Sequence, residues 1–98
     1  MDKYTKELLS FLVKMKLSPQ SIDSHVIHNM EHLFNLLSEN NRYDVLHYFG
    51  ILDCEQLSLS EIALSRNISE EQMMLIIDKC LRQLAISPEW QIIKQHIH

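Results

Sequence analysis

The first third of the chain opens with apolar residues at helical spacing. Leu8, Leu9, Leu12 and Val13 recur at intervals of three and four, while lysines and a glutamate fill the positions between them. One apolar side and one charged side are typical of an amphipathic helix at a protein surface. The pattern predicts a first helix over residues 2–16.

A second apolar stripe steps by one, three or four residues from Ile22 to Leu37. Ser18 and Pro19 precede it, and this pair suits a helix start, since serine caps free backbone N–H groups and proline tolerates the first helical position. We therefore predict a second helix over residues 19–37.

The third apolar stripe is shorter and ends at the only glycine of the chain. Ser38 is a suitable N-cap for a helix over residues 39–49. Gly50 follows where a left-handed residue commonly ends a helix. The predicted inner face of this helix consists of Tyr43, Val45, Leu46 and Phe49.

Two capping-box motifs of the form Ser-x-x-Glu/Gln follow in the second half. The first begins at Ser58 and the second at Ser69. In such a motif the two side chains reciprocally bind backbone N–H groups that lack helical partners. They predict helices over residues 59–65 and 70–84. A last short helix is predicted from Ser87-Pro88, with an inner face of Trp90, Ile93 and Ile97.

The predicted helices 59–65 and 70–84 are separated by a very short turn, which is typical of a helix-turn-helix. The small Ala63 permits a close helix crossing, and Asn67 tolerates the left-handed conformation. An ordinary three-helix core is the alternative explanation of the same pattern.

Composition favours an all-α fold, a small helical bundle with a C-terminal helix-turn-helix. The 98 residues include one glycine and two prolines, which leaves little material for hairpins. We expect an N-terminal helical pair over 1–37 that packs on a unit over 38–98, as one compact body. No stretch is apolar enough for a membrane span, and the two cysteines are not closely spaced, so a cytoplasmic location is expected.

Beyond about residue 37, four successive segments resemble the fourth conserved region of bacterial sigma factors. They are Tyr43-Asp-Val-Leu-His-Tyr-Phe-Gly-Ile-Leu-Asp, Leu57-Ser-Leu-Ser-Glu-Ile-Ala, Asn67-Ile-Ser-Glu-Glu-Gln and Lys79-Cys-Leu-Arg-Gln-Leu. The resemblance implies a transcription regulator that docks on RNA polymerase and lays its second helix in the major groove of promoter DNA. The chain is too short for the other sigma regions, so a stand-alone relative and a piece of a longer sigma factor both remain open.

The resemblance places the DNA-contacting residues at and after the turn. The basic residues Arg66, Lys79 and Arg82 are the expected phosphate contacts. The start of the second helix is expected to contact RNA polymerase and promoter DNA through Ser69, Glu70, Glu71, Gln72 and Leu75, with Glu71 as the residue that reads a base. A glutamate can accept a hydrogen bond from cytosine. Acidic residues at a helix N-terminus also act simply as partners of the helix dipole, and this alternative stays open for Glu70 and Glu71.

Charge argues against strong DNA binding. The formal net charge is −4, whereas phosphate binding favours a basic surface. The rival hypothesis is a protein-interaction module that binds polymerase or another sigma-associated protein, or pairs as a homodimer. Its surface would include Met74 and Leu75, either exposed as an adaptable apolar patch or buried against the N-terminal helices.

Neither a metal centre nor an active site is predicted. His25, His28 and His32 lie at i, i+3 and i+7, but no nearby cysteine or carboxylate completes a ligand set in sequence, so solvated surface histidines are expected. Cys54 and His47 carry no signature of nucleophilic catalysis, and one glycine cannot build a phosphate loop. We expect a non-enzyme without a cofactor.

Overall fold

A computed structural model describes residues 2–97, and within that range the chain forms six α-helices and no strand. The helices are α1 (Lys3–Leu17), α2 (Ser24–Phe34), α3 (Glu39–Phe49), α4 (Leu59–Ser65), α5 (Glu70–Ala85) and α6 (Pro88–Lys94). The predicted fold class, a small all-α bundle, is confirmed. None of the helices described is both long and apolar enough to cross a bilayer.

Helix α5 lies at the centre of the bundle. It packs against α1, α3, α4 and α6, and α2 packs against α6. One hydrophobic core therefore includes side chains from all six helices, among them Leu8, Leu12, Phe34, Val45, Ile62, Ile77 and Trp90. Because α5 supplies six of the buried residues, any outward surface it presents is held on a rigid support.

The bounds predicted for the second helix, residues 19–37, are wrong at both ends. Ser18 makes no side-chain capping bond, and Pro19–Ser21 form only a 3-10 turn. Ile22 is extended, and Asp23 is the true N-cap of α2, accepting a hydrogen bond from the backbone N–H of His25 at 2.7 Å. The apolar stripe spans this break because the side chain of Ile22 still packs on the core.

At its other end α2 stops at Phe34, three residues before the predicted end. The backbone N–H groups of Asn35, Leu36 and Leu37 each bond to the carbonyl three residues earlier, which tightens the last turn. Ser38 then caps α3, with its Oγ 3.3 Å from the N–H of Asn41. Leu37 is buried outside the helix, so periodicity alone could not reveal the boundary.

The predicted inner face of α3 is partly wrong. Val45, Leu46 and Phe49 are buried, but Tyr43 is 46% exposed and Asp44 is buried in its place. Asp44 can be buried there because its carboxylate has a cationic partner in the turn that follows α4.

Gly50 ends α3 in the left-handed conformation, as predicted, with φ 65° and ψ 48°. Its N–H bonds to the carbonyl of Leu46 at 2.8 Å. A Cβ at this position would lie 2.6 Å from Cβ of Gln56, so both the conformation and the close approach of the next loop require glycine.

Candidate functional site

Helices α4 and α5 form a helix-turn-helix, and its turn is closed by two backbone features. Asn67 adopts the left-handed conformation, with φ 57°, as the sequence predicts. The N–H of Ile68 then bonds to the carbonyl of Ala63 at 3.1 Å. Ala63 is only 2% exposed, so its small side chain lies within the contact between the helices.

Both predicted capping boxes are present. Ser58 Oγ accepts from the N–H of Glu61 at 3.1 Å, and Glu61 Oε1 accepts from the N–H of Ser58 at 3.1 Å. The second box pairs Ser69 with Gln72 at 3.0 and 3.1 Å. The side-chain oxygens of Ser69 and Gln72 both accept capping bonds at the start of α5. The side-chain NH₂ of Gln72 takes no part in the capping box.

The outer side of α5 is open. Gln72, Leu75, Lys79 and Arg82 are exposed at intervals of three, four and three, and Ile86 continues the same line beyond the end of the helix. We call these five residues the α5 ridge. The opposite face of α5 is buried through Met73, Ile77, Leu81 and Leu84. The N-terminal helices therefore leave the ridge uncovered.

Charge is distributed unevenly along α5. Glu70 and Glu71 occupy its exposed first turn, where their negative charges interact favourably with the positive end of the helix dipole. Lys79 and Arg82 lie further along the ridge, and the exposed apolar Leu75 precedes them. The ridge itself thus carries two positive charges and no acid, although residues 59–84 contain four acids and three bases, a net charge of −1.

Arg66 was predicted to contact phosphate, but the structure shows it engaged within the protein. Its Nη2 lies 2.9 Å from Oδ1 of Asp44, and its Nε lies 3.0 and 3.2 Å from the two carboxylate oxygens. Nη2 also donates to the carbonyl of Asn40 at 3.0 Å, and the guanidinium lies 5.7 Å from the ring centroid of Tyr43. Arg66 thereby fastens the turn of the helix-turn-helix to α3.

The Asp44–Arg66 pair is the feature that sequence reasoning missed. The two residues are 22 positions apart, and no sequence pattern links one to the other. One signal of the pair was present in the sequence, since Asp44 directly precedes the apolar Val45 and Leu46. A carboxylate buried beside them requires a cationic or hydrogen-bonding partner.

The two residues of the predicted interaction patch lie in different environments. Leu75 is 65% exposed on the ridge. Met74 is half-buried against the core, with its Sδ 3.9 Å from the hydroxyl of Tyr48. The exposed apolar side chains of the helix-turn-helix are therefore Leu75 and, on α4, Leu64, which is 80% exposed.

Other reactive side chains lie away from the ridge. His47 and Cys54 line a surface cavity of about 440 Å³ together with Glu39 and Arg42. The Nδ1 atom of His47 is 2.7 Å from the carbonyl of Glu55, so the loop holds that ring in place. The thiol of Cys80 is buried against the core, and this burial raises its pKa, with the nearby carboxylate of Asp44 adding to the rise.

No protein-family model matches the chain, and comparisons with curated proteins and with solved structures return no significant match.

Proposed function

We propose that this protein is a transcription regulator that binds RNA polymerase through its helix-turn-helix, in the manner of the fourth region of a sigma factor. The proposal rests on the resemblance of residues 37–98 to that region. The observation that supports it best is the open α5 ridge, since a recognition helix must present a continuous exposed face.

Polymerase binding is the primary activity in this proposal, and promoter contact is secondary. With Arg66 engaged by Asp44, the exposed bases of the ridge are Lys79 and Arg82. Two phosphate contacts contribute little affinity, because nonspecific binding grows with the number of phosphates that are neutralised. Glu70 and Glu71 add local repulsion toward a phosphate backbone, and in this proposal Glu71 is the residue that would accept a hydrogen bond from a cytosine.

Association with purified bacterial RNA polymerase tests the proposal. The wild-type chain is expected to co-elute with the enzyme in size-exclusion chromatography. Leu75→Glu is expected to weaken binding at least tenfold, because it places a charge in the apolar part of the ridge, and a tenfold loss corresponds to about 1.4 kcal/mol. Leu17→Glu is the matched control, since Leu17 is 73% exposed on α1.

The outcome separates three cases. Binding that is lost with Leu75→Glu and kept with Leu17→Glu supports the ridge as the interface. Equal loss in both variants, or no binding by the wild-type chain, contradicts the proposal. Both substitutions lie at exposed positions, so circular dichroism should show unchanged helix content.

A second candidate function is a protein-interaction module that does not read DNA. The engagement of Arg66 and the exposure of Leu64 and Leu75 favour it. A salt titration of promoter binding separates the two. If only Lys79 and Arg82 contact phosphates, the logarithm of the binding constant should fall with the logarithm of the salt concentration with a slope of about −1.8. Lys79→Ala should reduce the magnitude of that slope by about 0.9. No DNA binding at low salt would leave the interaction module as the better description.

A further inference from the structure

Two histidines of α2 lie side by side on its exposed face. His28 and His32 are four residues apart, which places their side chains on the same side of the helix. Their Nε2 atoms are 3.1 Å apart, and the ring centroids lie 4.6 Å apart with the ring planes at 89°. This separation is that of a hydrogen bond between the two imidazoles, so the two Nε2 atoms face each other.

From this geometry we propose that His28 and His32 form a chelating site for a borderline-soft divalent cation such as Zn²⁺, Ni²⁺ or Cu²⁺. Neutral imidazole nitrogen is a preferred ligand of these ions. The cation takes the place of the hydrogen between the two Nε2 atoms, and the donating ring moves its proton from Nε2 to Nδ1 through water, so that both rings bind as neutral imidazoles. Water molecules complete the coordination of the ion.

The observed separation matches the bite of such a chelate. With metal–nitrogen distances of ~2.05 Å, two nitrogens 3.1 Å apart subtend an angle of about 98° at the ion, between the octahedral and tetrahedral values. The rings therefore need only to tilt until both lone pairs face the ion. No movement of the backbone is required.

The support beneath the pair is rigid. The inner face of α2 is anchored by Val26, Met30, Leu33 and Phe34, all buried in the core. The two ligands are thus brought together by the folded helix and are separated when it unfolds. His32 also lies in the last turn of α2, where the helix dipole favours a positive charge.

His25 is the matched control on the same helix. It is exposed like the pair, but the part of the chain that the structure describes brings together no group of three potential ligands. The site therefore has two protein ligands, and His25 is outside it. His96, at the other end of the chain, is exposed as well and serves as a second control.

Thermal unfolding of the full chain with Ni²⁺ or Zn²⁺ chloride tests the site. An ion that binds the native state and not the unfolded chain stabilises the native state by RT ln(1 + c/Kd), where c is the concentration of the free ion. At a concentration ten times the Kd, the unfolding midpoint of the wild-type chain should rise by roughly 5–10 °C. Mg²⁺ at the same concentration should leave the midpoint unchanged, because it prefers oxygen ligands.

The variants decide whether the pair is responsible. His28→Ala and His32→Ala should each reduce affinity for the ion at least tenfold and cut the rise at that concentration to about 3 °C or less, while His25→Ala and His96→Ala keep the full rise. The proposal is overturned by an equal rise in the double variant of His28 and His32, or by no rise in the wild-type chain. Circular dichroism without metal checks that each variant is folded.

Discussion

Replacing Trp90 with alanine is expected to lower the free energy of unfolding by about 3–5 kcal/mol, which is the usual cost of removing a large buried aromatic side chain. Trp90 is 2% exposed, and its ring centroid lies 5.9 Å from that of Phe11. The side chain thus joins α6 to α1. For a chain of this size the midpoint of thermal unfolding should fall by at least ~12 °C.

Trp90→Phe is the informative control, because the buried indole N–H has no hydrogen-bond partner among residues 2–97. Phenylalanine keeps an aromatic ring near Phe11 and removes the unpaired donor, whose burial is itself unfavourable. The cost should therefore be below about 1.5 kcal/mol. A loss as large as that of alanine, measured by urea unfolding, would show that the N–H contributes a bond and that this description of the core is incorrect.

Replacing Arg66 with alanine is expected to cost about 2–4 kcal/mol, because it leaves the Asp44 carboxylate in the interior without its cation. The Asp44 side chain is 2% exposed, whereas that of Arg66 is 27% exposed. The effect should be asymmetric. Asp44→Asn should cost less than Arg66→Ala, because the guanidinium can turn toward water once the carboxylate is neutral.

A double-mutant cycle measures this coupling directly. If the pair acts as a unit, the combined loss in Asp44→Asn with Arg66→Ala is smaller than the sum of the single losses by at least ~1 kcal/mol. Additive losses would mean that the two side chains act independently. The same variants also bear on function. If the role of Arg66 is structural, DNA affinity should fall only as far as the fraction of folded protein falls.

Local signals in the sequence predicted the helices after residue 37 better than those before it. The bounds of α3 and α4 were predicted correctly, and α5 extends one residue further. These helices have capping residues and end signals that act over three or four positions, as at Ser58, Ser69 and Gly50. Such interactions can be recognised from sequence because both partners lie in the same motif.

The errors have two sources, helix ends that lie within an apolar stripe and contacts between distant residues. Ile22 and Leu37 are at helical spacing and pack on the core, yet both lie outside α2, because Asp23 and Ser38 provide the stronger caps. The role of Arg66 depends on Asp44, and periodicity contains no information about that pairing. The exposure of Leu75 and the half-burial of Met74 likewise follow from how the other helices pack on α5.

In the proposed function the α5 ridge faces RNA polymerase. Site-specific photo-crosslinking can locate this interface, with a photoreactive residue placed at Leu75 on the ridge or at Leu17 on α1, both exposed. A crosslink to a polymerase subunit is expected from position 75 and none from position 17. A crosslink from position 17 alone, equal crosslinks from both, or none from either would contradict it.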